Sequence, residues 1–450
     1  MDADGLAAEA AARYLAALPE RRVAPPPEAV ARLAELGGPL PDGPTDADDV
    51  VRLLDDVAGP ATVASAGGRY FGFVTGSTLP AARAAGRLLA AWDQNACMTI
   101  MSPAAAELEH VAAAWLLDVL TLPPGSAVGF VTGATMGNLT ALAAARHAVL
   151  TRLGWDVEDE GLVGAPQVRV VVGDEVHVSL LKALSLLGLG RRRIERVPVD
   201  EQGRLRPAGL PALDDATIVC LQAGNVNTGA SDPFEELVDR AHDAGAWVHV
   251  DGAFGLWLAA APARAHLVAG IGGADSWSTD GHKWLNVAYD CGFGICRDPA
   301  PLVAAMSATA AYLPSGERPD SFQFAPEMSR RARGVEVWAA LRALGRSGVA
   351  DLVERTCRLA TRFADGLRAA GHDVLNDVVA NQVLVSFGSD EETRRTVAAV
   401  QADGTCWCGS TVWQGRTAMR ISVSSWATTD ADVDRSLDAI VRLAPPTLTR

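Results

Sequence analysis

Short apolar runs alternate with longer amphipathic segments from about residue 125 to residue 300. The runs are rich in β-branched residues and end in glycine or polar residues, a pattern typical of strands that are buried on both faces of a parallel sheet. The segments between the runs have helical periodicity. The pattern predicts an α/β core with the strands AVGFVTG (127–133), VRVVVG (168–173), TIVCLQ (217–222), WVHVD (247–251), DSWST (275–279) and CGFGIC (291–296).

The pattern changes on both sides of this core. The N-terminal residues combine helical segments with the proline-rich connector VAPPPEAV. After residue 310, long amphipathic helices are predicted at 334–345 and 351–370, followed by the strands QVLVSF and AMRISVS and a helix at 430–443. We therefore expect an N-terminal helical arm (1–66), a large α/β domain (67–310) and a small C-terminal α+β domain (311–450).

Composition and charge narrow the class of function. The 450 residues are 49% hydrophobic and 21% charged, which suits a globular chain with a large core. A net charge of -15 argues against nucleic-acid and anionic-membrane partners, because both favour basic surfaces. The N-terminus has no basic stretch followed by an apolar segment, so we expect no secretory signal and a cytoplasmic location. The seven cysteines show no CxxC spacing, which indicates free thiols and no metal site.

A glycine-rich turn joins the first predicted strand to a helix in GFVTGATMGNLTALAAARH. The strand ends at Gly133 and the helix starts near Asn138, so free backbone N–H groups would face an anion such as phosphate. Neither a G-x-x-x-x-G-K-[ST] nor a G-x-G-x-x-G motif is present. An ordinary strand-to-helix turn remains the alternative.

Two further candidates follow strands. Asp251 ends WVHVD, and ligands of open parallel sheets bind at the carboxyl ends of strands. With Gly252 and Ala253 after it, this carboxylate could approach a flat ring and hold a positive charge on the ring nitrogen; a cap or turn aspartate is the alternative.

His177, in GDEVHVSLLKALSLLGLG, precedes an amphipathic helix, where a cap or a packed ring is the ordinary role.

Lysine occurs only at Lys182 and Lys283. An amine that attacks a carbonyl group cannot be replaced by arginine, because guanidinium stays protonated and delocalised. Lys182 lies inside a predicted helix and reads as a surface cation, whereas Lys283 follows a predicted strand and His282 in STDGHKWLNVAYD. An amine, a strand-end carboxylate, an anion-binding helix start and a flat imidazole together suit one cofactor, pyridoxal 5'-phosphate (PLP).

Together with GGRYFGFVTGSTLPA, MSPAAAELE, SRRARGVEVWAALRALG and AMRISVS, these motifs resemble the PLP-dependent group II amino-acid decarboxylases, relatives of the aromatic-amino-acid and glutamate decarboxylases. The resemblance extends over most of the chain. It implies the aspartate-aminotransferase-type α/β fold (fold type I), with a mostly parallel large-domain sheet and a small C-terminal α+β domain. It also implies a homodimer with a shared active site, to which residues 92–102 are a candidate contribution in trans.

The resemblance also implies roles for individual residues. Lys283 would form the Schiff base, Asp251 would pair with the pyridine nitrogen, and the ring would lie between His177 and Ala253. These implied catalytic residues are Lys283, His177 and Asp251. The other cofactor-binding residues that it implies are Ala134, Thr135, Asn227, Ser278 and His282.

The predicted reaction is decarboxylation of an L-amino acid to the amine and CO₂. The loop at 314–328 contains no tyrosine to protonate the product carbanion, and Tyr312 precedes it. Oxidative deamination to an aldehyde, or other carbanion chemistry such as aldol cleavage or transamination, is therefore the alternative. A non-enzymatic α/β binding protein is a third possibility.

Overall fold

The computed structural model describes residues 2–308 and 319–446. Its α-helices are α1 (Ala3–Ala17), α2 (Pro27–Arg32), α3 (Ala47–Leu53), α4 (Pro80–Trp92), α5 (Pro103–Val119), α6 (Ala134–Arg152), α7 (Val157–Glu160), α8 (Val178–Leu186), α9 (Phe234–Asp243), α10 (Pro299–Met306), α11 (Gly334–Ala369), α12 (Asp390–Asp403) and α13 (Asp430–Leu443). Its strands are β1 (Ala127–Val131), β2 (Arg169–Gly173), β3 (Glu195–Val197), β4 (Thr217–Gln222), β5 (Trp247–Asp251), β6 (Ser276–Asp280), β7 (Gly292–Cys296), β8 (Asp373–Val374), β9 (Gln382–Ser386), β10 (Gly409–Trp413) and β11 (Arg416–Ser422).

The chain divides into two compact units. The large unit contains Thr78–Cys357 and Asn376–Gln382, and the small unit contains Met1–Ser77, Arg358–Leu375 and Val383–Arg450. The small unit thus draws on both ends of the chain, which the sequence pattern treats as separate parts. The predicted domain boundaries at residues 66 and 310 are not tested by this division into compact units and stay predictions.

The large unit is built on a seven-stranded sheet in the order β1-β7-β6-β5-β4-β2-β3. All neighbouring pairs from β6 to β3 are parallel, whereas β7 runs antiparallel to both β1 and β6. The mostly parallel sheet is therefore confirmed, and each of the six predicted strands lies within two residues of its predicted bounds. The prediction missed β3, a three-residue strand that contains Glu195 and Arg196 and has no apolar alternation.

Helices α6 and α8 cover one face of this sheet. Their leucines pack against the valines and isoleucine of β2 and β4, in a cluster that includes Leu142, Leu150, Leu184, Val172 and Ile218. Strands buried in this way need apolar side chains on both faces, which is why their sequences do not alternate. Burial of such side chains supplies the main favourable free energy of folding.

The connection from β6 to β7 positions the lysine of interest. It spans residues 281–291 and contains no helix, so β7 returns antiparallel beside β6, and Lys283 lies in the connection. Glycines keep the neighbouring backbone close: a Cβ at Gly292 would lie 2.4 Å from Cα of Gly133, and one at Gly137 would lie 2.4 Å from the carbonyl oxygen of Phe293. The start of α6 is thereby held against β7.

The small unit has its own four-stranded sheet, in the order β10-β11-β9-β8. The predicted small α+β portion is confirmed in its strands β9 and β11 and in α13, whose bounds match the prediction at 430–443. All seven cysteines of the chain are buried thiols. Within residues 2–308 and 319–446, the helices are too short or too polar to span a membrane.

Candidate active site

Lys283 forms an ion pair with a carboxylate that sequence inspection did not single out. Its Nζ lies 2.9 Å from Oδ2 of Asp280, the last residue of β6. The Asp280 side chain is 3% exposed and that of Lys283 is 19% exposed, so the amine remains accessible while its partner is buried. The ion pair occupies the amine, so this contact must loosen when the amine reacts.

The second oxygen of Asp280 contacts the start of α6. The backbone N–H of Ala134 donates to Oδ1 of Asp280 at 2.5 Å, and Nε2 of His282 lies 3.5 Å from the same oxygen. Ala134 is the first residue of α6, where backbone N–H groups lack partners within the helix. The helix start predicted to bind an anion therefore lies beside Lys283 and already binds one, the carboxylate of Asp280.

The ring of His282 is held by a hydrogen bond at one edge and by an aromatic neighbour. Its Nδ1 accepts the backbone N–H of Cys291 at 3.2 Å, and its ring centroid lies 4.4 Å from that of Tyr289. Burial lowers the pKa of His282, although Asp280 opposes this effect. Because Nδ1 is an acceptor, the neutral ring carries its proton on Nε2, on the side of Asp280.

Asp251 lies at the end of β5, and each of its carboxylate oxygens accepts one hydrogen bond. The side-chain amide of Asn138 donates to Oδ2 at 3.1 Å, and the backbone N–H of Ala253 donates to Oδ1 at 3.2 Å. Asp251 pairs in register with Ser278 on β6, and the carbonyl of Ala253 accepts the N–H of Asp280 at 3.0 Å. These contacts join the predicted residues Asp251, Ala253 and Ser278 to the Lys283 cluster.

Asn138, in α6, connects two side chains of the sheet to Asp251. Its Oδ1 accepts the hydroxyl of Ser278 at 2.6 Å and lies 2.8 Å from Nε2 of His249. Both Asn138 and His249 are completely buried. The sequence offered a clue to His249, because a histidine two residues before Asp251 on a strand lies on the same face of the sheet.

His177 caps a helix and also lines a cavity with Asp251. It is the N-cap of α8, where its Nδ1 accepts the backbone N–H of Ser179 at 3.2 Å and lies 2.7 Å from the Ser179 hydroxyl. The same ring lines a cavity together with Asp251, Cys220 and Gln222. His177 therefore has the helix-capping role considered above, and it also lines the cavity. Its stacking on the cofactor ring stays a prediction.

Thr135 and Asn227 have a weaker connection to the site. Thr135 is half-buried in the first turn of α6, next to Ala134. Asn227 lies in a turn where its backbone N–H donates to Oδ1 of Asn225 at 2.8 Å, and it is Asn225 that reaches Glu175, at 3.0 Å. Their contacts with a cofactor stay predictions.

The loop that lacks a tyrosine is described only from residue 319 onward. Ser321–Phe324 forms a 3-10 turn in which Phe322 is buried, and the N–H of Phe322 donates to the carbonyl of Cys97 at 3.1 Å. Tyr312, with the first part of the loop, lies outside the described residues.

The residues present fit PLP. The cluster supplies an accessible amine at Lys283, a buried carboxylate acceptor at Asp251 and the first N–H groups of α6. The start of α6 is crowded at Gly133, since a Cβ there would lie 3.0 Å from Cε1 of His282 and 3.3 Å from Oδ1 of Asp280. An ionised carboxylate has about four acceptor positions, so Asp251 can accept a further N–H beyond the two that it already accepts.

Comparisons with known proteins point to the same chemistry. The family model of the pyridoxal-dependent decarboxylase conserved domain matches residues 54–388. Tryptophan decarboxylase 1 of Oryza sativa subsp. japonica is 31% identical over 398 residues, which cover 79% of this chain and 76% of that protein. The 4-hydroxyphenylacetaldehyde synthase of Rhodiola rosea is 30% identical over 288 residues, 60% of this chain and 57% of that protein.

A solved structure shows the same fold. The crystal structure of Oryza sativa TDC with PLP and tryptamine matches with a TM-score of 0.89 at 24% identity, over 97% of this chain and 96% of that one. The predicted fold type I architecture is thereby confirmed.

Proposed function

The chain belongs to the pyridoxal-dependent decarboxylase family and is a PLP-dependent amino-acid decarboxylase, and on this premise we propose that Lys283 is the residue that binds PLP covalently. The observation that carries the proposal is the shared carboxylate of Asp280, which binds the Lys283 amine with one oxygen and the start of α6 with the other, one strand away from Asp251. Lys182, the other lysine, lies within α8.

Each group of this site has a task that its contacts support. Asp251, oriented by Asn138 and Ala253, would hold the positive charge of the pyridine nitrogen. The N–H groups at the start of α6, from Ala134 and Thr135, would bind the phosphate. When bound, PLP supplies the electron sink that accepts the electron pair left behind as CO₂ departs.

We further propose an amine as the product, formed by protonation at the substrate's Cα. His177 lines the cavity of Asp251, and its Nδ1 accepts the N–H of Ser179, so Nε2 is the ring nitrogen that we assign as the proton donor. A proton-bearing group in this cavity favours protonation over oxidation. The relative in Rhodiola rosea is named an aldehyde synthase, so an aldehyde is the competing product.

The product test uses the full chain, PLP and a panel of L-amino acids that includes tryptophan. We expect CO₂ and amine in equal amounts without hydrogen peroxide. Peroxide and aldehyde in place of amine would contradict the proposed outcome while leaving the decarboxylase family unaffected.

The test of the lysine uses both lysines of the chain. We expect Lys283→Ala to lower turnover by at least about a thousandfold, because the covalent link to the cofactor is lost. Lys182→Ala is the matched control and should keep its activity. After borohydride reduction, peptide mass spectrometry should find the cofactor on Lys283; finding it on Lys182 would overturn the assignment.

We also propose a cytoplasmic homodimer. The support for the homodimer is four exposed apolar side chains within fourteen positions, Leu88, Trp92, Ile100 and Met101, three of which lie in the predicted trans segment 92–102. Exposed apolar side chains that form a contiguous patch are typical of protein interfaces. A second copy of the chain is the partner that the proposal names.

A further inference from the structure

We propose that Asn138 and His249 are positioning residues that fix the carboxylate of Asp251 for the cofactor's ring nitrogen. Neither residue would touch the reacting atoms. The inference rests on the proposed function, because it gives Asp251 the task described above. It goes further by assigning the orientation of that carboxylate to a specific buried chain of hydrogen bonds.

The protonation state of His249 sets the direction of this chain. Burial lowers the pKa of His249 to about 3, so the ring is neutral at pH 7. Its Nε2 faces Oδ1 of Asn138 at 2.8 Å, and a carbonyl oxygen can only accept, so Nε2 carries the proton. Its Nδ1 is then an acceptor for the hydroxyl of Ser276 at 3.0 Å, and that hydroxyl in turn accepts Nε1–H of Trp247 at 2.9 Å.

The contact with Asp251 fixes the side-chain amide of Asn138 independently, because a carboxylate oxygen can only accept. Its oxygen accepts from both His249 and Ser278, so its NH₂ group must point to Oδ2 of Asp251. A flipped amide would place its NH₂ against the proton of His249 and its oxygen against a carboxylate. Every hydrogen bond in the chain therefore points toward Asp251, which ends the chain as an acceptor.

The position of Asn138 depends on the close approach of α6 to the sheet. Gly137 precedes Asn138, and a side chain at Gly137 would collide with the carbonyl of Phe293, at 2.4 Å from the Cβ. Only this approach lets a side chain as short as asparagine reach both Ser278 and Asp251. Hydrogen bonds to a charged group are among the stronger ones, and they are stronger still where water is excluded.

A purely structural role is the competing explanation, because any buried polar chain stabilises a fold when all its members are paired. The two explanations differ in what they predict for the cofactor. A structural role changes only the stability of the chain. A positioning role also changes the affinity for PLP and the visible absorption spectrum of the bound cofactor, since that spectrum reports the environment of the ring.

The principal variant is Asn138→Leu, which keeps the approximate size and removes both hydrogen-bonding groups. Asn381→Leu is the matched control, because Asn381 is also an asparagine with no exposed surface, and its Oδ1 accepts from Gln382 and not from the Asp251 cluster. We measure the dissociation constant for PLP by titration of the full chain, and the visible spectrum after saturation. We expect at least about tenfold weaker binding and a changed spectrum for Asn138→Leu, and neither for Asn381→Leu.

A second pair of variants keeps the test decisive if Asn138→Leu does not fold. His249→Gln retains an N–H donor toward Asn138 and should bind PLP within about twofold of the unaltered chain, whereas His249→Leu should bind it several-fold more weakly. Unchanged affinity and spectrum in the folded Asn138 and His249 variants would overturn the positioning role alone. Failure of the unaltered chain to bind PLP at Lys283 would instead overturn the proposed function, and this inference with it.

Discussion

At the scale of single residues, the carboxylate of Asp280 lies between the Lys283 amine and the first residue of α6. One oxygen binds the Lys283 amine and the other binds the N–H of Ala134, so a single carboxylate occupies both groups that PLP would engage. The reasoning that selected Asp251, a carboxylate at the end of a buried strand, applies equally to Asp280, three residues before the lysine. Under the proposed function, Asp280 competes with the cofactor for both positions.

This competition predicts the effect of Asp280→Asn. Removal of the negative charge should release the Lys283 amine from its ion pair and weaken repulsion of the phosphate, so covalent attachment of PLP should be faster by about two- to tenfold. Stopped-flow absorbance measures the rate. Asp290→Asn is the control, since Asp290 pairs with Arg333 at 2.9 Å and not with Lys283; slower attachment in Asp280→Asn would show that the carboxylate assists the reaction.

At the scale of elements, α11 shows how one residue changes a helix. The sequence pattern predicts two helices, at 334–345 and 351–370, and the structure has Gly334–Ala369 with one non-helical residue, Gly345, at φ 59° and ψ 179°. This backbone conformation is essentially restricted to glycine. The predicted interruption is therefore confirmed, but it occupies a single residue and not a loop.

We expect Gly345→Ala to lower the free energy of unfolding by about 1–3 kcal/mol, because alanine is strained at this φ and ψ. No neighbouring atom lies within 4 Å of the added Cβ, so the effect isolates the backbone. Urea unfolding measures it, with Ser347→Ala, an exposed residue two positions further along α11, as a control that should not lose stability. An equally stable Gly345→Ala variant would mean that the helix straightens without cost.

At the scale of the whole molecule, the exposed apolar residues Leu88, Trp92, Ile100 and Met101 support the proposed homodimer. Isolated apolar residues on a surface are ordinary, but these four lie within fourteen positions of the chain, and we propose that they form one interface patch. A second copy of the chain is the proposed partner of this patch.

The dimer prediction is tested by sedimentation. The unaltered chain should have about twice the monomer mass of 46.9 kDa, and Ile100→Asp should shift it toward monomer because a buried charge at an interface is costly. Val163→Asp is the matched control, since Val163 is also exposed but lies outside the patch. A monomeric unaltered chain would overturn the proposed dimer.

Sequence reasoning located the strands well because buried strands have a strong local signal, and it missed β3 because Glu195 and Arg196 give none. It found Lys283 and Asp251 because chemistry restricts those positions to an amine and a carboxylate. It named Asn138 only as a helix start and passed over His249, since an asparagine in a helix and a histidine in a strand have many ordinary roles. Their significance comes from partners more than 100 positions away along the chain.

By itself, the sequence determined the alternation of strands and helices, the family and the identity of the candidate cofactor. These depend on local periodicity and on the chemical uniqueness of a few side chains. Only the tertiary structure decided that Asp280 binds Lys283 and Ala134, and that a directed chain of hydrogen bonds ends at Asp251. The physical reason is that a hydrogen bond tolerates changes of only a few tenths of an ångström in its donor–acceptor distance. Between elements that are remote in sequence, tertiary packing sets that distance.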